Sequence, residues 1–587
     1  MRLGLLQLER RSSRSSLLQS PCQTDARFGQ ARYQGLFVSL LSVVSLQVVL
    51  FLLPLHLPFS LSLGWSRRYG RPLTARPEGW RSCGTALVGH NGSTPLPQVY
   101  PNICSNDSWT RHPYLLAMAQ VEVPPFRMDR PGEYAPIPKP LKRSAAKKMA
   151  LPAGPRSPLL TLQFQKDTPG FLRKTRDQYG DCASFFLGGQ LFIGAFAPEM
   201  VNEVTVSKQH SFIKGVGFDR MRKVLGTGLL TNEEPIHMRH RRLMQSPFHI
   251  SKISSYAETM LRLTRKHIEP WRDKDVIAVG PQMMSLTFDI VADILFGSDI
   301  SADTERVQRA MHVAIDRIER TMLPGLDRFD YAPIPYFRKF EKAANELHEV
   351  SSRIVEERIR LNIKRDDLLG ILIEATTADG ERLSAREISD ETLTLILSGH
   401  ETTANVLAWT FSYLSENPQY WQPLAQEAES VFAHNAEVDF ALKLFNAPLT
   451  SAIFNEVLRL CPPVWVAPRR ALEDLTLGGV FIPKGAHVLV SQYVTHRDPR
   501  YFKDPDKFIP ERWSGDFEKS LPKGAYFPFG AGSRKCLGDQ FAILESRIII
   551  LEIARQMKLK TLREFPEAQP RATYRPKGSV PMRCHRN

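Results

Sequence analysis

The chain has 587 residues, of which 43% are hydrophobic, 24% charged and 9% aromatic, so it is long enough for a large globular domain and too apolar for a disordered chain. Its formal net charge is +16, but residues 1–150 hold 19 Lys and Arg against 7 Asp and Glu, and the rest of the chain is nearly balanced. The charge therefore gives no reason to expect a nucleic-acid partner. Seven scattered cysteines exclude a disulfide framework and are typical of a reducing compartment.

Residues 1–120 are predicted to be an extension outside the catalytic domain. No charged residue occurs from Tyr33 to Ser66, and residues 36–63 consist mostly of Leu, Val, Phe and Ser. This apolar stretch is long enough to cross a bilayer, so it predicts a membrane anchor and association with a membrane. Two alternatives remain open. The Arg/Ser-rich start also fits an organelle transit sequence, and the whole extension also fits a mispredicted upstream part of the gene, which would leave the protein soluble in the cytoplasm.

Residues 121–150 are predicted to be a linker, because the stretch is rich in proline and ends in a cluster of basic side chains. Residues 151–587 are then the catalytic domain. In it, helical patterns dominate from about Pro198 to Asn417, and a mixed strand-and-turn region follows from about Ala467. The sequence contains no P-loop and no strand-linked GxGxxG, which argues against a nucleotide cofactor.

A long helix is predicted to begin after Ser384, which forms a capping box with Glu387, and to run without a break towards Pro418. Its middle, residues 399–403 (GHETT), is polar between two apolar stretches. An amphipathic surface helix with one polar face is the simplest explanation. However, four consecutive polar residues cover all sides of a helix, so some of them must face inward, where they need partners.

A second predicted helix, residues 451–460 (SAIFNEVLRL), carries Glu456 and Arg459. These two side chains are three residues apart, so they lie on one helical face and can pair. An ExxR pair is common by itself and usually marks a solvated salt bridge. Further along the chain, residues 508–513 (FIPERW) supply Arg512.

The most informative segment is residues 527–542, FPFGAGSRKCLGDQFA. Glycines around Cys536 allow the backbone to approach a flat or bulky group. Apolar residues at helical spacing follow, so the cysteine is predicted to lie at a loop-to-helix junction, where the helix dipole favours a thiolate. A thiolate with Arg534 beside it suits an axial bond to haem iron. A buried structural cysteine next to a glycine-rich turn is the alternative.

The string F-G-x-G-x-R-x-C-x-G, from Phe529 to Gly538, resembles the haem-binding loop of the cytochrome P450 monooxygenases. The ExxR helix fits the same family, the FIPERW segment resembles its PERF segment with Trp513 in place of Phe, and residues 398–403 resemble its A-G-x-E-T-T signature with Ser398 in place of Ala. The resemblance covers roughly residues 151–565. It implies a mainly α fold with a small β-rich region, in which a long central helix crosses over a haem b held by the cysteine loop.

The resemblance also implies roles for individual residues. Cys536 is expected to be the axial ligand of the haem iron, and Glu401 and Thr402 are expected to relay protons to bound O2. The other expected haem-binding residues are Phe529, Gly530, Arg534 and Gly538 in the loop and His237, Arg241 and Arg469 elsewhere, with His237 standing where the family usually has Trp. Glu456, Arg459 and Arg512 are expected to form a buried structural network.

The implied reaction is hydroxylation or epoxidation of a hydrophobic small molecule by an oxidoreductase that inserts one oxygen atom from O2. Electrons are expected from a separate ferredoxin or an NAD(P)H-dependent flavoprotein reductase, which would dock where Lys523, Arg534 and Lys535 contribute positive charge. Two alternatives remain open: a haem-thiolate peroxygenase or isomerase, and a non-enzymatic haem-binding protein. The C-terminal half resembles bacterial or plastid-type fatty-acid and carotenoid hydroxylases, which leaves the substrate and its site of attack undetermined.

Overall fold

The computed structural model describes residues 138–587 except for five short stretches: 216, 298–302, 322–334, 378 and 434–442. The candidate membrane anchor at residues 36–63 and the rest of the predicted extension lie outside the described residues.

Helices make up most of the described chain, and short strands occur mainly near its two ends. The helices in chain order are α1 (Arg143–Ala146), α2 (Leu160–Lys166), α3 (Thr168–Tyr179), α4 (Pro198–Asn202), α5 (Phe218–Leu225), α6 (Ile236–Met244), α7 (Ile250–Ser255), α8 (Ala257–Ile268), α9 (Val279–Phe296), α10 (Thr304–Thr321), α11 (Pro335–Arg360), α12 (Leu368–Glu374), α13 (Ala385–Glu416), α14 (Trp421–Phe432), α15 (Pro448–Leu460), α16 (Gln492–Thr495), α17 (Phe517–Ser520) and α18 (Asp539–Gln556). The strands are β1 (Cys182–Leu187), β2 (Gln190–Ala195), β3 (Phe212–Lys214), β4 (Val276–Ala278), β5 (Ala467–Ala471), β6 (Leu475–Leu477), β7 (Val480–Ile482), β8 (His487–Val490), β9 (Met557–Thr561), β10 (Ala568–Pro570), β11 (Tyr574–Pro576) and β12 (Pro581–Arg586). The predicted mainly α fold with small sheets is confirmed.

The largest sheet has five strands in the order β1-β2-β8-β5-β3. Strands β2 and β8 are parallel, and the other neighbouring strands are antiparallel. The pairing of β3 with β5 places Lys214 directly opposite Arg469. Smaller sheets are formed by β4, β12 and β9, by β6 with β7, and by β10 with β11.

The last part of the predicted linker, residues 138–150, is attached to the five-stranded sheet. The Leu141 amide donates to the Gly485 carbonyl at 2.9 Å, and the Leu141 carbonyl accepts from the Leu191 amide at 2.9 Å. Ala146 in α1 is only 1% exposed. Backbone hydrogen bonds therefore hold this stretch of the chain against the sheet.

The long helix α13 extends over 32 residues and confirms the predicted uninterrupted helix. Its predicted capping box is present: the Glu387 amide donates to Ser384 Oγ, and the Glu387 carboxylate accepts from the Ser384 amide at 2.8 Å. Helix α13 packs along α9. A Cβ on Gly399 would lie 3.1 Å from the Val291 side chain, so glycine allows the two helices to approach closely at this point.

Helix α9 is the one described helix that is long and apolar enough to cross a bilayer, and 61% of it is buried within the protein. Its packing against α8 and α13 explains this apolar composition, since a core helix is hydrophobic around most of its circumference.

Helix α18 follows the cysteine segment and confirms the predicted loop-to-helix junction. Four residues recur at helical spacing and are at most 7% exposed: Phe541, Leu544, Ile548 and Leu551. They belong to the main hydrophobic core, which also contains apolar residues of α13 and α15. The cysteine segment is therefore fixed to the core at its C-terminal end.

Candidate functional site

The cysteine segment folds into a tight loop that its own backbone closes. The Gly530 amide donates to the Phe527 carbonyl at 2.9 Å, and the Cys536 amide donates to the Phe529 carbonyl at 2.8 Å. Gly530 and Gly532 have φ angles of 72° and 69°, which favour glycine. A Cβ on Gly532 would also overlap the Thr205 carbonyl oxygen. Local turn geometry and packing thus already require these glycines.

Contacts from the rest of the domain fix the position of this loop. His496 Nε2 accepts from the Phe527 amide at 3.0 Å, and the Tyr526 hydroxyl donates to the Asn455 carbonyl at 3.1 Å. On the other side, the Ser533 amide donates to Gln209 Oε1 at 2.7 Å. The loop is therefore held from both sides.

Glu456 and Arg459 form a fully buried, bidentate ion pair on α15. Arg459 Nε and Nη2 each lie 2.8 Å from a Glu456 carboxylate oxygen, and both residues are 0% exposed. Arg512 Nε donates to Glu456 Oε1 at 3.0 Å. The structure thus brings together the three residues of the expected network. Burying such charges is tolerable only when every partner is present.

Additional groups complete this network. The Trp513 indole donates to Glu456 Oε2 at 2.9 Å, and the Ile509 amide donates to Glu456 Oε1 at 2.9 Å. The remaining Arg459 N–H groups donate to three backbone carbonyls: those of His496 (3.0 Å), Pro505 (2.6 Å) and Lys507 (3.0 Å). Because His496 also accepts from Phe527, the network connects α15 directly to the cysteine loop.

A cluster of buried cations lies where β3, β5 and the cysteine loop meet. Arg534 Nη2 pairs with Glu233 Oε2 at 2.7 Å, and the backbone amide of Lys214 donates to Glu233 Oε1 at 2.7 Å. Burial, with the charge of Arg534, lowers the pKa of Arg469 to about 10. Burial also lowers the pKa of Lys214 to about 7; Glu233 opposes this shift, and Arg534 and Arg469 add to it. Two carboxylates, Glu233 and Glu234, lie near these three cations, so positive charge is in excess and favours the binding of a further anion.

Helix α6 brings His237 and Arg241 to the same region. His237 is 2% exposed, and its Nδ1 lies 2.9 Å from Glu234 Oε1. Burial lowers the pKa of His237, although Glu234 opposes the shift. Arg241 Nη1 donates to the Lys535 carbonyl at 2.7 Å, which ties α6 to the residue before the cysteine. Burial lowers the pKa of Arg241, while the nearby charge of Cys536 raises it.

Cys536 is exposed, whereas Cys461 and Cys584 are buried. Desolvation by the surrounding protein nevertheless raises the pKa of the Cys536 thiol to about 11, and the charge of Asp539 adds to the shift. The Gly538 peptide group, Lys535 and Arg241 oppose it. An accessible sulfur surrounded by protein is typical of the wall of a cavity. A metal cation that coordinates a cysteine deprotonates its thiol, so this pKa applies to the protein without a bound metal.

The polar residues in the middle of α13 face different neighbours. Glu401 is 5% exposed, and its Oε1 accepts from the Thr573 hydroxyl at 2.7 Å. The Thr402 hydroxyl donates to the Ser398 carbonyl at 2.8 Å, within its own helix. Thr403 is 3% exposed, whereas Ser398 is exposed and Thr402 is partly exposed. The four polar residues thus do not form one solvated face, which answers the question that the sequence left open.

Ser398 and Thr402 lie one turn apart on a face of α13 that has packing partners on either side. Towards the N-terminus of α13, the Leu229 amide donates to Glu391 Oε2 at 2.8 Å. Towards its C-terminus, Asn405 Nδ2 donates to Thr573 Oγ1 at 3.1 Å. Between these two contacts Ser398 is exposed and Thr402 partly exposed, so this stretch of the helix face is open.

The residues fit a haem. A haem needs one axial ligand, cations for its two carboxylates and an open face for a substrate; Cys536, the cluster of Lys214, Arg469 and Arg534, and the open face of α13 provide these. Three residues of the site were missed in the sequence because they belong to no motif: Lys214, Glu233 and Thr573. Trp513 was noticed in the FIPERW segment, but the segment did not indicate that its indole donates to Glu456.

Arg534 differs from the sequence expectation in one respect. Its side chain is 9% exposed and is paired with Glu233, so it faces inward and does not contribute to a positive docking surface. Lys535 pairs with Asp539 at 2.6 Å and remains 38% exposed, and Lys523 is exposed. Only these two lysines of the three expected residues lie on the surface.

Comparisons with known proteins identify this arrangement. A family model described as Cytochrome P450 matches residues 152–579. Cyclooctat-9-en-7-ol 5-monooxygenase of Streptomyces melanosporofaciens is 33% identical over 408 residues, which cover 69% of this chain and 88% of that protein. Cyclooctatin synthase of the same organism is 31% identical over 390 residues, which cover 65% of this chain and 84% of that protein. The solved structure of retinoic acid bound cyanobacterial CYP120A1 matches with a TM-score of 0.66 and 26% identity, over 75% of this chain and 100% of that chain.

Proposed function

The chain belongs to the cytochrome P450 family, whose members insert one atom of O2 into a hydrophobic substrate at a haem, with electrons from a separate redox partner. We propose that this chain binds haem b at Cys536 and an apolar isoprenoid substrate beside it. The chain is a haem-dependent monooxygenase, an oxidoreductase that incorporates molecular oxygen. The proposal concerns which residues hold the cofactor, move protons and receive the substrate.

The exposed Cys536 next to a buried excess of cations is the observation that carries the cofactor assignment. Cys536 is the axial ligand in this proposal, on a loop formed by Phe529, Gly530 and Gly538. His237, Arg241, Arg469, Arg534 and Lys214 hold the two carboxylates, which would offset the mutual repulsion of Lys214, Arg469 and Arg534. The bound haem supplies the activation of O2 that no side chain can provide.

The cofactor assignment can be tested with two forms of the cofactor. Protein freed of haem is reconstituted with haem b or with its dimethyl ester, which lacks both free carboxylates. We expect the ester to bind at least tenfold more weakly. Removing one partner of a buried ion pair costs more than about 1.4 kcal/mol, which corresponds to a factor of about ten in affinity. Equal affinity for the two forms would remove the cation cluster from the haem site.

The residues of α13 have a separate role in this proposal. Thr402 presents a hydroxyl to the open face of the helix, and Glu401 lies beside it with a carboxylate that can exchange protons. Together they would order water and deliver protons to bound O2, the task of a general acid. Glu456, Arg459 and Arg512 take no part in this transfer and hold the fold around the loop.

The substrate assignment rests on the names of the relatives and on the open helix face. Cyclooctat-9-en-7-ol and retinoic acid, named for two of the similar proteins, are both built on isoprenoid skeletons. We expect terpene alcohols and retinoids to shift the haem absorption spectrum at micromolar concentrations, and fatty acids of equal carbon number to shift it only at much higher ones. The opposite ranking would favour a fatty-acid hydroxylase.

The electron donor is proposed to be a ferredoxin or a flavoprotein reductase that docks near Lys523 and Lys535. Lys523 is exposed and the side chain of Lys535 is 38% exposed, and opposite charges at a docking surface mainly accelerate encounter. Reversing both charges should raise the KM for the donor and leave haem content unchanged. Lys342→Glu, at an 80% exposed position on α11, serves as the control.

The apolar stretch at residues 36–63 is proposed to attach the protein to a membrane, since it lacks any charged residue. Flotation of the full chain with lipid vesicles, compared with a chain that lacks residues 1–120, tests this assignment. Equal recovery of both chains with the vesicles would argue against an anchor.

A further inference from the structure

Thr573 lies in the turn between β10 and β11, and hydrogen bonds hold the backbone on both sides of it. The Trp465 indole donates to the Arg571 carbonyl at 2.9 Å, and the Trp409 indole donates to the Tyr574 carbonyl at 3.1 Å. The Arg571 amide donates to the Thr573 carbonyl at 3.0 Å, and this hydrogen bond closes the turn. A side chain on such a turn points in a fixed direction.

The Thr573 hydroxyl lies between two polar residues of α13. Asn405 Nδ2 donates to Thr573 Oγ1 at 3.1 Å, and Thr573 Oγ1 donates to Glu401 Oε1 at 2.7 Å. An amide nitrogen can only donate, so the hydroxyl proton is directed to the carboxylate. Donors arranged in series strengthen one another in a buried setting, and Thr573 is 8% exposed.

Glu401 makes no ion pair within the described part of the chain, although it is 5% exposed. A buried carboxylate needs hydrogen bonds to its charged form, and the Thr573 hydroxyl supplies one. A neutral hydroxyl holds a carboxylate less firmly than a guanidinium does. Thr573 therefore positions the Glu401 carboxylate less rigidly than an ion pair would.

We propose that Thr573 is a positioning residue that holds the Glu401 carboxylate beside the open face of α13 and thereby sets the start of the proton path. This inference rests on the proposed proton-delivery role of Glu401 and Thr402. Thr573 itself contacts neither the haem nor the reacting atoms in this assignment. It acts on the reaction only through the position of Glu401.

The test compares three variants of the haem-loaded full chain. Thr573→Val removes the hydroxyl and keeps the shape, Thr573→Ser keeps the hydroxyl, and Thr410→Val removes a buried hydroxyl that donates only within α13, to the Val406 carbonyl at 2.8 Å. Retinoic acid is the probe, and the measurement is hydrogen peroxide formed per NAD(P)H consumed with an added redox partner. We expect a several-fold rise in peroxide for Thr573→Val and values near those of wild type for Thr573→Ser and Thr410→Val.

A second measurement does not depend on turnover. Thermal unfolding of Thr573→Val, Glu401→Ala and the double variant forms a double-mutant cycle. We expect the loss in the double variant to be smaller than the sum of the two single losses, because the same hydrogen bond is removed twice. Additive losses would mean that the hydroxyl does not hold the carboxylate, and would overturn the inference.

A wild-type peroxide yield in Thr573→Val would also overturn the inference. Equal uncoupling in Thr573→Val and Thr573→Ser would overturn it as well, because the effect would then come from packing and not from the hydroxyl. If Thr573→Val fails to bind haem, the smaller Thr573→Ala carries the same comparison. A wild-type chain that shows no thiolate-type carbon monoxide spectrum would instead refute the proposed function, and this inference with it. That control separates the two failures.

Discussion

The indole Nε1 of Trp513 lies 2.9 Å from Glu456 Oε2 and donates a hydrogen bond to a carboxylate that is fully buried. In the related sequence segment a phenylalanine is usual, and phenylalanine has no donor. This chain therefore holds Glu456 with one more hydrogen bond than the motif implies, in addition to those from Arg459, Arg512 and the Ile509 amide.

Replacement of Trp513 by Phe should destabilise the domain without abolishing haem binding. A hydrogen bond to a charged group contributes about 1.5–3 kcal/mol, and three other donors to Glu456 remain. Thermal unfolding and haem content are the measurements. Trp421→Phe, at a buried tryptophan stacked on Phe411, controls for the loss of ring volume. An unfolding midpoint that falls equally in both variants would argue against a specific role for the indole.

Cys536→Ser should abolish the thiolate-type carbon monoxide spectrum of the reduced protein. Cys536 is exposed and lies on the loop closed by its own backbone, whereas Cys461 is buried in the hydrophobic core. Cys461→Ser and Cys182→Ser should therefore keep the spectrum. A thiolate spectrum in Cys536→Ser would refute the ligand assignment.

Thr402→Ala should leave haem binding intact and divert electrons to hydrogen peroxide. Among the described residues, the Thr402 hydroxyl donates only to the Ser398 carbonyl of its own helix, so alanine should fit without disturbing the fold. The measurement is product and peroxide per NAD(P)H consumed. Thr403→Ala is the matched control, because Thr403 is buried on another side of α13. Unchanged coupling in Thr402→Ala, or a greater loss in Thr403→Ala, would place the proton route elsewhere.

The link between α6 and α13 should weaken as pH rises. His240 is 0% exposed, and its ring nitrogens lie 2.6 Å from Glu391 Oε1 and 3.1 Å from Glu387 Oε1. Burial lowers the pKa of His240, but the two carboxylates outweigh burial and the net shift is upward. A raised folded-state pKa gives stability that is present at low pH and lost as pH rises through that pKa.

The unfolding midpoint of the wild type should therefore fall more steeply above neutral pH than that of His240→Gln. The variant keeps a donor for one carboxylate but cannot titrate. Parallel pH profiles for the two proteins would show that His240 does not contribute to this dependence. Arg239, which pairs with Glu387 at 2.7 Å, stays charged throughout and contributes equally to both profiles.

A chain that begins at Met128 should fold and bind haem, because it retains the backbone pairing of Leu141 with Gly485 and Leu191. A chain that begins at Leu151 lacks this pairing and the buried Ala146, so it should unfold at a lower temperature. Haem-free aggregate from the longer truncated chain would show that residues 1–127 belong to the folded domain.

Motifs with a fixed spacing could be located in the sequence, and partners supplied by tertiary packing could not. The capping box of Ser384 and Glu387 is local, so the start of α13 was predictable. The ExxR spacing indicated that Glu456 and Arg459 can pair, but not that Trp513 would join them. Spacing along a chain contains no information about a partner that arrives from another element.

The cluster of buried cations could not be predicted from the sequence either. Lys214 lies opposite Arg469 only because β3 and β5 pair in one register, and no motif surrounds it. Thr573 reaches Glu401 across 172 positions of the chain. The surroundings of Cys536 show the same limit, since the desolvation that raises the pKa of its thiol comes from residues distant in the chain.

Arg459 has no spare N–H group: two point to Glu456, and the others point to the carbonyls of His496, Pro505 and Lys507. Lysine carries the same charge but offers three donors from a single nitrogen, so at least two of these acceptors would be left without a proton. Even lysine, the residue of like charge, therefore cannot replace Arg459 without leaving buried acceptors unsatisfied. A lysine at this position would be tolerated only if the carbonyls of His496, Pro505 and Lys507 found other donors.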